Sequence, residues 1–129
     1  MARKAITSKK AASVGPYSHG IDADDFIFLS GQTPMDPDTG KIMEGDIRAQ
    51  AQQCFDNLFG VLEETGSGPD DVQKVNVYLT DMNDFTAMNE IYKKQFSEPY
   101  PARTTIGAGS LPLGAKIEIE MIARKKHNQ

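Results

Sequence analysis

The 129-residue sequence has one cysteine, two histidines and no long apolar run, and each shortage removes a class of protein. Cys54 has no second cysteine for an internal disulfide; it sits amid helical spacing, reads as a small buried hydrophobe, and suits a reducing compartment. His19 and His127 stand far apart in the chain. With no HExxH, no paired cysteines and no clustered aspartates of calcium-loop spacing, no protein-bound metal is expected. GxSxG and GxxxxGK(S/T) are missing as well, which removes the easiest hydrolase and nucleotide-binding readings. No stretch approaches the roughly 18 apolar residues of a membrane helix, and "MARKAITSKK" has no hydrophobic segment like that of a secretion signal, so the cytoplasm is the expected location. Positive charge is short too: a formal net charge of -4 gives no general reason to seek nucleic acid or an anionic membrane.

What remains is the composition of an ordinary globule, 39% hydrophobic and 25% charged, read as one domain over residues 1–129. Its basic ends, Arg3, Lys4, Lys9 and Lys10 at one terminus and "RKKH" at the other, are expected to fray into solvent. "DFIFLSGQTP" carries strand formers and breaks at Gly31 and Pro34, and "MDPDTGKIM" turns around Asp36 to Gly40 into a short strand, so the chain opens as a meander. Residues 46–64 place Ile47, Ala51, Cys54, Leu58 and Val61 at spacings of four, three, four and three, an amphipathic helix stopped by "TGSGP". "VQKVNVYLTD" alternates as a strand, with Val75, Val77 and Leu79 on one face. "DFTAMNEIYKKQF" is a second helix, with Asp84 as its expected cap and a stripe of Phe85, Met88, Tyr92 and Phe96. "ARTTIGA" and "AKIEIEMIA" close the chain as two strands. The order βββαβαββ is an α+β layer with two helices on one face of a sheet. Two helices leave the other face bare, yet residues 26–29 and the pair Met121 and Ile122 are apolar in both phases. That face is expected to bury itself against further copies of the chain, which also creates inter-subunit clefts.

The chemistry-bearing residues lie in the last two strands and the first loops. Arg103, Thr105 and Gly107 share one phase of their strand, and Glu118 and Glu120 share another, about 7 Å apart. An arginine clamps a small carboxylate through two parallel hydrogen bonds, and a glutamate directs water at an electrophilic carbon. The same residues serve equally as a structural Arg–Glu bridge, with Glu118 and Glu120 a solvated face partnered by Lys116. Gly15 and Pro16 shape a turn presenting Tyr17, and Gly20 and Gly31 allow close approach around Ser30. Those hydroxyls could relay protons or simply serve the turn. Asn89 bonds a neighbouring loop or faces solvent.

Taken together, "GPYSHG", "FLSGQTP", "NVYLTDMNDFTAMNEIY" and "PARTTIGAGSLPLGAKIEIEMIA" closely resemble the RidA/YjgF family of small imine deaminases, in the same order from about residue 5 to residue 125. The resemblance implies a chorismate-mutase-like α+β fold assembled as a homotrimer, with sheets lining a central barrel and sites in the subunit clefts. It implies hydrolysis of reactive 2-imino acids, tautomers of enamines such as 2-aminoacrylate and 2-aminocrotonate released by pyridoxal-phosphate-dependent dehydratases, to 2-oxo acids and ammonia without a cofactor. Carried over by position, the carboxylate-binding arginine is Arg103 and the water-activating acid is Glu118, leaving Glu120 structural. The pocket tyrosine is Tyr17, the serine Ser30 and the asparagine Asn89, with backbone groups at Gly31 and Thr105 meeting substrate. Thr105 departs from the cysteine of many members. A hydroxyl lacks a thiol's low pKa, so under water addition the change is expected to alter rate or preference more than to abolish activity. The alternatives are a non-catalytic regulatory protein that binds 2-oxo acids or related metabolites, and a ribonuclease or translation inhibitor, against which the acidic balance and the lack of a histidine pair weigh.

Overall fold

In the computed structural model, which describes residues 2–11 and 15–127, the longer helix α1 runs Ile47–Glu63. Asp46 starts it by accepting the Ala49 N–H at 3.1 Å, satisfying an amide that has no partner within the helix. Its expected stripe, Ile47, Ala51, Cys54, Leu58 and Val61, is buried throughout. The second helix, α2, spans Phe85–Gln95. Asp84 does not cap it. A 3-10 turn over Met82–Asp84 already leads into the helix, and Asp81 caps that turn by accepting the Asn83 N–H at 2.9 Å.

The opening holds more strands than the meander expected from sequence. β1 (Lys4–Ile6), β2 (Gly20–Ala23) and β3 (Phe26–Gln32) pair antiparallel in sequence. β4 (Met35–Asp36) and β5 (Lys41–Ile42) form a separate two-stranded pair around the anticipated turn. β1 and β2 are too short to show an alternation of their own. β6 (Val72–Leu79), β7 (Ala102–Gly107) and β8 (Ile117–Arg124) complete a six-stranded sheet ordered β1-β2-β3-β8-β6-β7. The β6–β7 pair is parallel, because α2 crosses between them and returns the chain in the same direction.

Both helices cover the face that carries Ile27, Leu29, Val75, Val77, Leu79, Ile117 and Ile119. They join each other through Phe55, whose ring lies 5.9 Å from those of Tyr92 and Phe96 and 5.8 Å from Phe59. The opposite face keeps Phe26 and Phe28 of β3 and Ile106 of β7 exposed at 40%, 48% and 48%. Ile21 and Ile122 pair with Phe28 across the neighbouring strands and extend this apolar surface. No helix among the described residues is long and apolar enough to cross a membrane.

Phe55 is fully buried where both helices meet the sheet, so its truncation leaves a cavity that several elements share. Phe55→Ala is expected to lower stability by about 3–5 kcal/mol, measured by urea unfolding.

Candidate functional site

The residues singled out from sequence gather into two clefts. The first forms where β3 departs from regular pairing with β8. Leu29 faces Met121 but Gln32 faces Ile119, so three steps on β3 oppose two on β8, and the extra residue bulges at Ser30–Gly31. Ser30 is pinned there, its N–H donating to the His19 carbonyl at 3.0 Å and its hydroxyl to the Ser18 carbonyl at 2.6 Å. The bulge brings Gly31 against Glu118: a Cβ on Gly31 would stand 2.7 Å from Glu118 Oε2, so the carboxylate occupies the place of a side chain. Tyr17, Ser30, Gly31, Glu118 and Glu120 line the resulting cleft of about 400 Å³.

The two acids differ in what holds them. Glu120 accepts the Tyr78 hydroxyl in a short hydrogen bond and the Asn76 amide at 3.2 Å. That bond, followed by burial, pushes Tyr78 up to about 12. Glu118 receives no such side-chain donor among the described residues. Burial first, and the Glu120 charge second, hold it above the ordinary carboxylate range. A carboxyl tuned upward and otherwise uncommitted has the properties of a general base.

The second cleft, about 330 Å³, lies between α2 and β7 and is lined by Asn89, Tyr92, Lys93, Tyr100, Pro101 and Arg103. The crossover from β6 to β7 lays α2 over the start of β7, where Arg103 points to the helix side. Arg103 pairs with Val75 and Thr105 with Val77, both core residues. The Arg103 guanidinium donates to Asn89 Oδ1 at 2.7 Å and packs over the rings of Tyr92 and Phe85, 4.6 and 5.6 Å from their centroids. Among the described residues no carboxylate forms an ion pair with it. The structural bridge to a glutamate is therefore not what holds Arg103 within the chain, and Asn89 is its partner. Thr105 follows on the same face, half-buried, its hydroxyl enclosed without a hydrogen-bond partner among the described residues. A larger cleft of about 510 Å³, which runs from Pro69 and Gln73 to Phe96 and Ala102, shares Tyr100 and Pro101 with the second but is not lined by Arg103, Asn89 or Glu118, and its charged lining residues are the acids Asp70 and Glu98.

Within one chain the two clefts do not meet. Arg103 is level with Val75 on β6 and hence with Met121 on β8, three residues from Glu118 and two strands away. That offset is roughly 14 Å in the plane of the sheet. The faces differ as well: Arg103 lies on the helix side, whereas Glu118 pairs with Tyr78 on the open side. Phe85 and Tyr92, read from sequence as core, do pack on it, and their further contact with the Arg103 guanidinium is what the sequence reading missed. Their spacing with Asn89, four and three, was the available signal.

A small α+β domain with an uncommitted cation in one cleft and a raised-pKa acid in another is the class these observations define. The chain matches the family model described as Endoribonuclease L-PSP over residues 7–125. It belongs to that family, the RidA/YjgF group whose motifs it carries. A RutC family protein of Pyrococcus abyssi is 46% identical over 127 residues, 98% of this chain and 100% of that one. A 2-iminobutanoate/2-iminopropanoate deaminase of Mus musculus is 42% identical over 122 residues, 94% of this chain and 90% of that one. The crystal structure of E. coli TdcF with bound serine superimposes with a TM-score of 0.89 at 36% identity, covering 95% of this chain and 99% of that one.

Glu118 binds its proton more tightly in the folded chain than in the unfolded one. Its contribution favours folding below the unfolded pKa and is lost as pH rises through the raised folded value. At neutral pH the ionised group therefore subtracts from stability. Glu118→Gln is expected to raise Tm at pH 7, with the gain shrinking toward acid pH; a Tm that falls at pH 7 contradicts the assigned burial.

Proposed function

We propose that the chain hydrolyses reactive 2-imino acids to 2-oxo acids and ammonia, without a cofactor, at sites shared between the subunits of a homotrimer. The observation that carries this reading is the placement of Arg103 and Glu118, each without an ion-pair partner among the described residues, on opposite faces of one sheet. A second copy laid on the exposed Phe26, Phe28 and Ile106 face covers apolar surface and can carry its Arg103 cleft to the first copy's Glu118 cleft. The deaminase name of the mouse relative and the serine bound to TdcF, an amino acid with a carboxylate, support the same substrate class. The lone buried Cys54 is consistent with the cytoplasmic location expected from sequence.

In the reaction Arg103 holds the substrate carboxylate and leaves C2 over the Glu118 cleft. Glu118 accepts a proton from water as the water oxygen bonds to C2, giving a tetrahedral carbinolamine. That proton passes from Glu118 to the nitrogen; Glu118 then takes the proton of the carbinolamine hydroxyl and delivers it to the amine, so that as the C2–N bond breaks ammonia leaves and C2 and oxygen form the carbonyl of the 2-oxo acid. In this reading Tyr17, which lines the same cleft as Ser30 and Gly31, relays protons. Thr105 takes no covalent part in this route. The nuclease name of the family description finds less support in this chain. The His19 ring accepts the Ser8 N–H at 3.1 Å in the interior, whereas His127 lies beside Asp25.

Two outcomes test the proposal. Arg103→Ala and Glu118→Gln are each expected to abolish the acceleration of 2-oxobutanoate formation from 2-iminobutanoate generated in situ. Mixing the two after subunit exchange is expected to restore about a quarter of wild-type activity, since about one site in four then joins an intact Arg103 to an intact Glu118. No recovery from exchanged mixtures would place both residues in one chain's site and overturn the shared-site reading. Independently, Phe28→Glu is expected to shift the protein from trimer to monomer in analytical ultracentrifugation.

A further inference from the structure

Helix α2 presents Phe85, Asn89 and Tyr92 on one stripe, and all three touch the Arg103 guanidinium. A guanidinium can be fixed by an acid, which cancels its charge and occupies its paired N–H edge. It can also be fixed by π faces and a neutral acceptor, which orient it and leave the charge and most donors uncommitted. The chain uses the second means. Tyr92 supplies the nearer face, and its own plane is set by the interior: its ring lies 5.0 Å from Phe96 and 5.9 Å from Phe55, and it is 5% exposed. The ring that orients Arg103 is thus braced by the core joining the two helices.

We propose that Tyr92, seconded by Phe85, is a positioning residue that holds the Arg103 guanidinium aligned and uncompensated for a substrate carboxylate. The inference rests on the reading that Arg103 binds that carboxylate. It assigns the role to the ring and not to the hydroxyl, which is enclosed with no hydrogen-bond partner among the described residues. Because the carboxylate is held equally before and during water addition, loss of the ring acts on KM and leaves kcat nearly unchanged.

The test compares wild type, Tyr92→Phe, Tyr92→Leu and Phe59→Leu in steady-state kinetics on in-situ 2-iminobutanoate and in calorimetric titration with 2-oxobutanoate. Tyr92→Phe keeps the face and is expected to stay within about twofold of wild type in KM and Kd. Tyr92→Leu is expected to raise both by about tenfold, with kcat within about threefold. Phe59→Leu removes a ring of the same cluster that packs on Phe55 and Phe96 and is paired with neither Tyr92 nor Arg103, so it is expected to lower Tm without moving KM. Equal KM values for Tyr92→Leu and Phe59→Leu, or a loss confined to kcat, would overturn the role. Should Tyr92→Leu not fold, Phe85→Leu at the half-buried second ring is read instead, with an expected rise in KM and Kd of about threefold and an unchanged KM overturning the proposal. If wild type fails to turn over imine but binds 2-oxobutanoate in a Tyr92-dependent way, the hydrolase reading falls and the positioning role stands. If folded wild type binds neither, both fall.

Discussion

Side chains of neighbouring residues on a strand point to opposite faces, and that alternation separates Arg103 from Glu118. The register of β7 on β6 and of β6 on β8 fixes which face each takes, and the buried valines and isoleucines of the helix side fix the register. A slip of one residue would put Val75 and Val77 in water, so the hydrophobic pattern that folds the sheet also dictates where the two charges stand. No rotamer change brings an arginine at the helix-covered edge to a glutamate on the open side two strands away. Any chemistry that needs both has to recruit them from different copies.

The same separation keeps the two groups from pairing with each other within a chain. Placed on one face within reach, a guanidinium and a carboxylate would pair and lose the availability that a substrate requires. Here each is held by something that leaves it uncommitted. Arg103 rests on rings and an amide oxygen. Glu118 sits where a Gly31 side chain would be, beside a second acid already occupied by Tyr78 and Asn76. Burial and like charge disfavour ionisation of Glu118, so the site is maintained at the expense of local stability.

Much of this was legible in the sequence. The helical stripe beginning at Ile47, the alternation of Val75, Val77 and Leu79, and the opposite phases of Ile117 and Glu118 all depend on periodicities of a single element. That Glu120 is held by side-chain donors was not legible in its strand, because it turns on Tyr78 and Asn76 of another one. β1 and β2 were not legible, since three or four residues show no pattern and gain their place by pairing. Asp84 as a cap was a reasonable local inference that failed because Asp81 and the 3-10 turn begin the winding earlier. Phe85 and Tyr92 fitted a core stripe so well that their second use, beneath a guanidinium, had no separate signal until the βαβ crossover placed α2 over β7.

The open face then takes on a second meaning. Phe26 and Phe28, with Ile21 and Ile122 beside them, would be a liability on a protein that worked as a monomer, because contiguous exposed apolar surface drives association whether or not association is useful. If the site is completed only by a second copy, that association is a condition of activity. Ile106 also makes the linkage tight, since it stands one residue beyond Thr105 on the strand that carries Arg103. The residue that would dock and the residue that would bind are three apart on one rigid strand. A subunit seated through Ile106 therefore carries its guanidinium in a fixed place, and assembly and site geometry cannot vary independently.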